Sequence, residues 1–365
     1  MQRFRAAIFI EDAMQNKLVN RRGFLKTASG LALAPALPLI PGAAFAAEND
    51  VVVGTWGGDY QNLLQQIISP IVAKKNIGVV FDTGSAVARV TKLRAERNSR
   101  RGSMDVALLG EVDMYDAESS GALEKIDASK LSNLPNALDT LKTPYSIPHI
   151  FSAMTLVYNT EKFPQGPKSL QALLDPANKG RVGLSDILYL YNAVFVGLGA
   201  GGNAKSFEGG KKFLSKFKDN SPRVYPSNEA VATALKSGEI WMACMWKARA
   251  LQWRDSGLPV GFVIPEEGTI PVSFEAAVAK NSRNKDAAWA YLNAMLEPEG
   301  QVGFAQKMGY APTVTNSTLP ADLQSRVGFT DAEVKLLQAY DLKALTESKA
   351  DMLEFWNKDF KAAIG

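Results

Sequence analysis

The chain runs to 365 residues, more than one hydrophobic core commonly supports and enough for two. Six of its 41 basic and two of its 37 acidic residues fall in the first 46 positions, so the remainder carries 35 of each sign. That balance supplies no global field to attract nucleic acid or an anionic membrane, and the single cysteine, Cys244, excludes an internal disulfide.

The opening segment reads as an address. Arg21-Arg22 precede an apolar stretch over 31–39 and a small-x-small site, Ala44-Phe45-Ala46, which predicts a twin-arginine signal peptide over 1–46. Proteins with such a leader pass the twin-arginine translocase already folded, so the expected location is the periplasm. Pro35 and Pro38 interrupt the stretch and Pro41 follows it, and it falls short of the roughly 20 apolar residues that span a bilayer.

After the leader, strands and helices alternate. Val51 to Trp56 is a β-rich run broken by Gly57-Gly58, after which Asp59 is placed to cap a helix carrying Leu63, Leu64, Ile67, Ile68, Ile71 and Val72; Pro70 predicts a kink or a stop. Val79 to Phe81 leads through Thr83-Gly84-Ser85 into a helix expected to bury Val87, Val90 and Leu93 and to expose Arg89, Lys92, Arg94, Glu96 and Arg97. A third strand, Asp105 to Leu109, ends at Gly110-Glu111. This is the pattern of a parallel α/β sheet, whose ligand edge lies at the carboxyl ends of the strands, here the loops at Trp56, Ser85 and Glu111. Gln61 stands where a dinucleotide fingerprint needs its third glycine.

A long apolar segment, Ile147 to Tyr158, crosses to a second α/β unit. There Arg181 to Asp186 opens the helix Ile187 to Leu198; helices follow over 207–217 and 228–235, then a strand over 240–246 at whose end Lys247 starts a helix. Val260 to Ile264 is stopped by Pro265-Glu266-Glu267-Gly268, Phe274 to Ala279 returns toward the first unit, and the rest is helical apart from a loop over 310–320. Cys244 and His149, the only histidine, both lie in apolar runs and read as buried side chains; no nucleophile elbow or zinc-ligand cluster accompanies them. The sequence offers carboxylates but no matched catalytic pair, which argues against a hydrolase or lyase.

Taken in order, Thr55-Trp56, Tyr145-Ser146-Ile147-Pro148, Lys179-Gly180, Met245-Trp246, Pro265 to Gly268, Asn284-Lys285-Asp286-Ala287 and Gly309-Tyr310 resemble the periplasmic solute-binding proteins of ABC importers, in particular the spermidine/putrescine-binding branch. The resemblance covers nearly all of the chain past the leader. It implies the two-lobed periplasmic binding protein fold of type II, α/β, each lobe a mixed sheet flanked by helices with the ligand cleft between. The expected lobes are 47–148 plus about 273–300, and 149–272 plus about 301–365. The implied partners are a small solute and the importer's permease, for a monomer that is not an enzyme and holds no cofactor or metal.

The resemblance also implies a site. Trp56 and Trp246 match positions whose rings sandwich a methylene chain, Asp186 a carboxylate that grips an amino group, and Asp59 and Tyr60 an acidic-aromatic pair. Val272 and Phe274 stand where a tryptophan and an aspartate are expected, so a polyamine would need Glu275 or Glu111 as substitute. Lys247 beside Trp246 suits an acid, so a zwitterion such as γ-aminobutyrate would satisfy Asp186 with Lys247 or Arg89. A purely anionic solute is the alternative. Tyr189 and Tyr191 invite a ferric-ion reading, which their two-residue spacing on a helix opposes.

Overall fold

The computed structural model describes residues Asn49 to Ile364; the expected signal peptide over 1–46 and its cleavage point lie outside them. Among the described residues ten strands are formed: β1 (Val51–Thr55), β2 (Val79–Thr83), β3 (Val106–Gly110), β4 (Ile147–Asn159), β5 (Val182–Ser185), β6 (Arg223–Tyr225), β7 (Met242–Trp246), β8 (Val260–Val263), β9 (Pro271–Val278) and β10 (Ala311–Pro312). The main path runs β2-β1-β3-β9-β4-β7-β5-β6, with β8 and β10 also paired to β4.

The thirteen-residue β4 joins the two halves. Its first part, Ile147 to Ala153, pairs antiparallel with β9, while Met154 to Tyr158 pairs with β7 and Leu156 to Asn159 with β8. In the first half β1 lies parallel to β2 and β3; in the second β5 lies parallel to β6 and β7. In each half the carboxyl ends of parallel strands share one edge.

Each half has its own core. Val51, Val53, Leu64, Ile68, Leu292 and Phe304 pack under one face of the first sheet, and Val90, Leu93, Leu109 and Met114 under the other. Leu184, Phe195, Phe213, Phe217, Cys244 and Trp356 fill the second. Burial pushes the Cys244 thiol up to about 12, as expected of a small apolar side chain. The chain's end is divided. Met308, Tyr310 and Val314, expected with the second lobe, pack into the first core because β10 pairs with Ile150 and Phe151. Leu345, Met352 and Phe360 return to the second.

Three local expectations change. Asp59 is the first helical residue rather than the cap; Gly58, at φ 70°, precedes it and no side chain caps the helix. Pro70 neither ends nor sharply stops that helix: the chain widens into a π turn over Leu64–Ile68, which relieves the ring's contact with the carbonyl four residues back, and the helix resumes over Ser69–Ala73. On the helix Ala86–Glu96 the buried face is rotated. Val87 is 66% exposed, whereas Arg89, expected outside, is 3% exposed. The guanidinium is drawn in because strand-end carbonyls receive its N–H groups.

Candidate ligand site

Trp56 follows the last residue of β1, β7 ends at Trp246, and β9 runs between the halves carrying Phe274. Phe274 stands between the two tryptophans, its ring centroid 5.2 Å from that of Trp56 and 6.1 Å from that of Trp246, both edge-on. The set extends to Tyr60 (5.6 Å from Trp56), Tyr310 (5.8 Å from Phe274) and Tyr191 (4.8 Å from Trp246). These rings touch one another directly, so a solute among them must part them. Edge-on rings retain their faces for a cation or an alkyl chain once parted. The Tyr60 hydroxyl is engaged inward, 2.7 Å from His149 Nδ1. Burial brings His149 down to about 3, so it stays neutral.

Two buried carboxyl groups flank this set. Glu111 opens the helix Glu111–Ser119; its Oε2 accepts from the Ser273 N–H at 3.1 Å and the Tyr191 hydroxyl at 3.5 Å, while its buried Oε1 accepts no hydrogen bond and the Tyr340 hydroxyl, which donates to the Pro271 carbonyl at 2.7 Å, stands within reach of the carboxyl. Gly110 permits this approach, since a Cβ there would lie 2.8 Å from the Tyr191 hydroxyl. Burial pushes Glu111 up to about 8, with the Glu275 carboxyl adding to the effect. Glu275, one residue past Phe274 and so on the opposite face of the strand, accepts from the Ser146 hydroxyl at 2.5 Å and is pushed by burial up to about 7.

Arg89 is a buried cation of this region. Its Nε donates to the Leu108 carbonyl at 2.9 Å, and Nη1 to those of Thr55 at 2.8 Å and Gly84 at 3.3 Å. Its guanidinium carbon lies 4.8 Å from the Trp56 ring. Gly54 makes room, because a Cβ there would stand 2.7 Å from Arg89 Cδ.

The remaining expected residues are placed elsewhere. Asp186 accepts from Lys361 Nζ at 3.0 Å on each oxygen and from Trp356 Nε1 at 2.7 Å. It borders a hollow of about 430 Å³ that is lined by Arg223, Tyr225 and Lys361 and by none of the aromatic set. Lys247 turns to the 328–333 segment, donating to the Gly328 carbonyl and lying 4.4 Å from the Phe329 ring and 4.0 Å from Glu333. Asp59 is exposed, and the Ser85 hydroxyl accepts from Ala88 N–H at 3.2 Å as a helix cap. Tyr189 packs on Trp356 while Tyr191 packs on Trp246, the divergence their spacing requires.

The pattern of the bacterial extracellular solute-binding proteins matches residues 66–331. The chain belongs to that family. It is therefore a binding protein and not an enzyme. It is 28% identical over 297 residues to the spermidine/putrescine-binding periplasmic protein of Escherichia coli (strain K12), a match spanning 77% of this chain and 82% of that relative. Among solved structures it is similar to the spermidine/putrescine substrate-binding protein of Streptococcus pneumoniae, at TM-score 0.70 and 22% identity over 87% of this chain and all (100%) of the other. The Atu4243-GABA receptor superposes at TM-score 0.73 and 20% identity, over 84% and 96% of the two chains. The fold is the two-lobed one of these proteins.

Against that family background two residues stand where their sequence does not place them. Tyr191 was weighed only as an iron phenolate, yet it joins the Trp246 ring to the Glu111 carboxyl. Arg89 is named from the sequence as a possible partner for a carboxylate, yet is expected on the solvated face of its helix and not buried at the strand ends. The available signal was Gly54, a residue without a side chain in the middle of a β-rich run.

Proposed function

We propose that the chain is the periplasmic receptor of an ABC importer for a small amine-bearing solute, a polyamine or a zwitterion such as γ-aminobutyrate. The observation that carries this reading is the aromatic set Trp56, Phe274, Trp246 and Tyr191, drawn from both halves and joined to a buried Glu111 carboxyl with one oxygen unanswered. Aromatic faces attract an alkylammonium, and a carboxylate without a partner is the group an ammonium completes. The names of the E. coli relative and of the GABA receptor point to the same solute chemistry.

The mechanism is closure. The lobes, one built on β1, β2 and β3 and the other on β5, β6 and β7, open about the strands β4 and β9; solute entering between the rings bridges them and shifts the population to the closed form, which docks on the permease. Two contacts between the halves favour that form: Lys349 Nζ lies 2.5 Å from Asp113, and Tyr191 meets Glu111. Export by the twin-arginine route before this work begins would be lost on replacing Arg21 and Arg22 with Lys, read by fractionating the expressing cells.

Calorimetry on the purified chain with putrescine, spermidine and γ-aminobutyrate tests the reading, with tryptophan fluorescence as a second signal. At least one should bind with a change in emission as Trp56 and Trp246 shift environment. Heat from none of the three would sink the amine reading.

A further inference from the structure

We infer that Arg89 forms an anion subsite beside Trp56 and that the solute carries a carboxylate which this guanidinium receives, its ammonium going to Glu111. The inference rests on the amine-receptor reading above and narrows it from amines to zwitterionic amino acids.

Arg89 is 3% exposed, and among the described residues it has no ion pair. The acids whose fields reach it are taken: Asp82 lies 2.6 Å from Lys92 Nζ, and Asp113 lies 2.5 Å from Lys349 Nζ. Three carbonyls, of Thr55, Gly84 and Leu108, receive Nε and Nη1, which fixes the fork in place but supplies no anion. Nη2 is buried and has no partner. A buried charge without a counter-ion is costly to keep, and a rigid planar fork suits a carboxylate above other anions of its size.

Its location matters as much as its charge. The three carbonyls belong to the last residue of β1, the residue after β2 and a residue near the end of β3, so the guanidinium sits at the carboxyl edge of the first sheet, where α/β folds take their ligands. Glu111, whose Oε1 is likewise buried and without a hydrogen-bond partner among the described residues, starts at the end of that same β3. Two buried groups of opposite kind, each with one polar atom unpaired and aromatic rings around them, match a short chain that is anionic at one end and cationic at the other. A diamine would leave Arg89 facing a second cation.

A staple for three strand ends would also explain the carbonyl contacts, so the test relies on matched ligands rather than on loss of the arginine alone. The wild-type chain is titrated with γ-aminobutyrate, its amide, putrescine and butyrate. Binding of γ-aminobutyrate at least about thirtyfold tighter than its amide and than putrescine supports the inference. Equal or tighter binding of the amide or putrescine overturns it and leaves the amine reading standing. Binding of butyrate as tight as γ-aminobutyrate supports the Arg89 subsite and overturns the amine reading, and binding of none overturns both. In Arg89→Lys, checked for native circular dichroism, the preference for the acid over its amide should shrink about tenfold or more, because a point charge cannot replace the fork; an unchanged preference rejects Arg89 as its source.

Discussion

Glu111 and Asp186 hold the same topological place in their two halves, each the first residue past a parallel strand, yet their surroundings are opposite. Asp186 has both oxygens met by Lys361 and a third bond from Trp356, and its side chain is 37% exposed. Glu111 is 6% exposed, leaves one oxygen without a partner and is pushed by burial up to about 8. Position at a strand end therefore identifies where a ligand group can stand, while the satisfaction of its polar atoms decides whether one is needed. In the second half the chain's own ammonium, Lys361, occupies the carboxylate; in the first it is the protein that is incomplete.

The largest expected effect tests what holds Asp186. Trp356 is 1% exposed, packing on Phe360 and donating to Asp186. Trp356→Ala should lower stability by about 3–5 kcal/mol in a denaturant titration. A loss under about 1 kcal/mol would mean that the C-terminal segment does not dock as described.

Next is the comparison itself. Glu111→Gln should weaken an amine-bearing solute by about 2 kcal/mol or more, since the neutral amide cannot balance an ammonium, whereas Asp186→Asn should change affinity by less than about 1 kcal/mol. Calorimetry that returned the reverse order would restore Asp186 as the amine anchor and require Lys361 to move aside on binding.

The same carboxyl groups set a pH dependence. Glu111 and Glu275 bind their protons more tightly folded (about 8 and about 7) than unfolded (4.5), so their contribution to stability is full below about pH 4.5 and is lost as pH rises toward 8. Buried neutral His149 acts oppositely: with the unfolded value at 6.5 and the folded one near 3, stability is lost as pH falls below about 6.5. Glu111→Gln should flatten the alkaline-side decline, by roughly 3–4 kcal/mol between pH 5 and 8, and leave the acidic-side decline unchanged. Denaturant melts across that range read both slopes.

The smallest effect is at the exposed pair. Lys361→Met should cost less than about 1 kcal/mol of stability, because Asp186 and Lys361 are both partly solvated. It also frees Asp186, so any gain in affinity for putrescine over γ-aminobutyrate in this variant would show that Lys361 competes for the site.

Much of the chain's organisation was legible. The β-rich runs expected at 51–56, 79–81 and 105–109, the apolar crossing at 147–158 and the returning strand from 274 follow from period and from Gly and Pro punctuation, match the observed strands to within a few residues, and place Trp56, Trp246 and Glu111 at strand ends. Less legible was the buried face of the helix Ala86–Glu96. Its apolar residues are too few to fix the rotation, and a long cation was assigned to solvent although three carbonyls awaited it 19, 34 and 5 residues away along the chain. The destination of 301–314 was hidden for a similar reason, since a two-residue strand pairing with β4 carries almost no sequence pattern.

By itself the sequence determined the alternation of elements, the family and the aromatic residues available at the strand ends, because these depend on local spacing and on runs of one residue type. Only the tertiary structure decided which charges are satisfied. Asp186 meets Lys361 across 175 positions, Lys349 meets Asp113 across 236, and Ser273 N–H reaches Glu111 across 162. Such pairings arise from chain closure, where burial raises the cost of every unmatched polar group and so selects partners that no local pattern names.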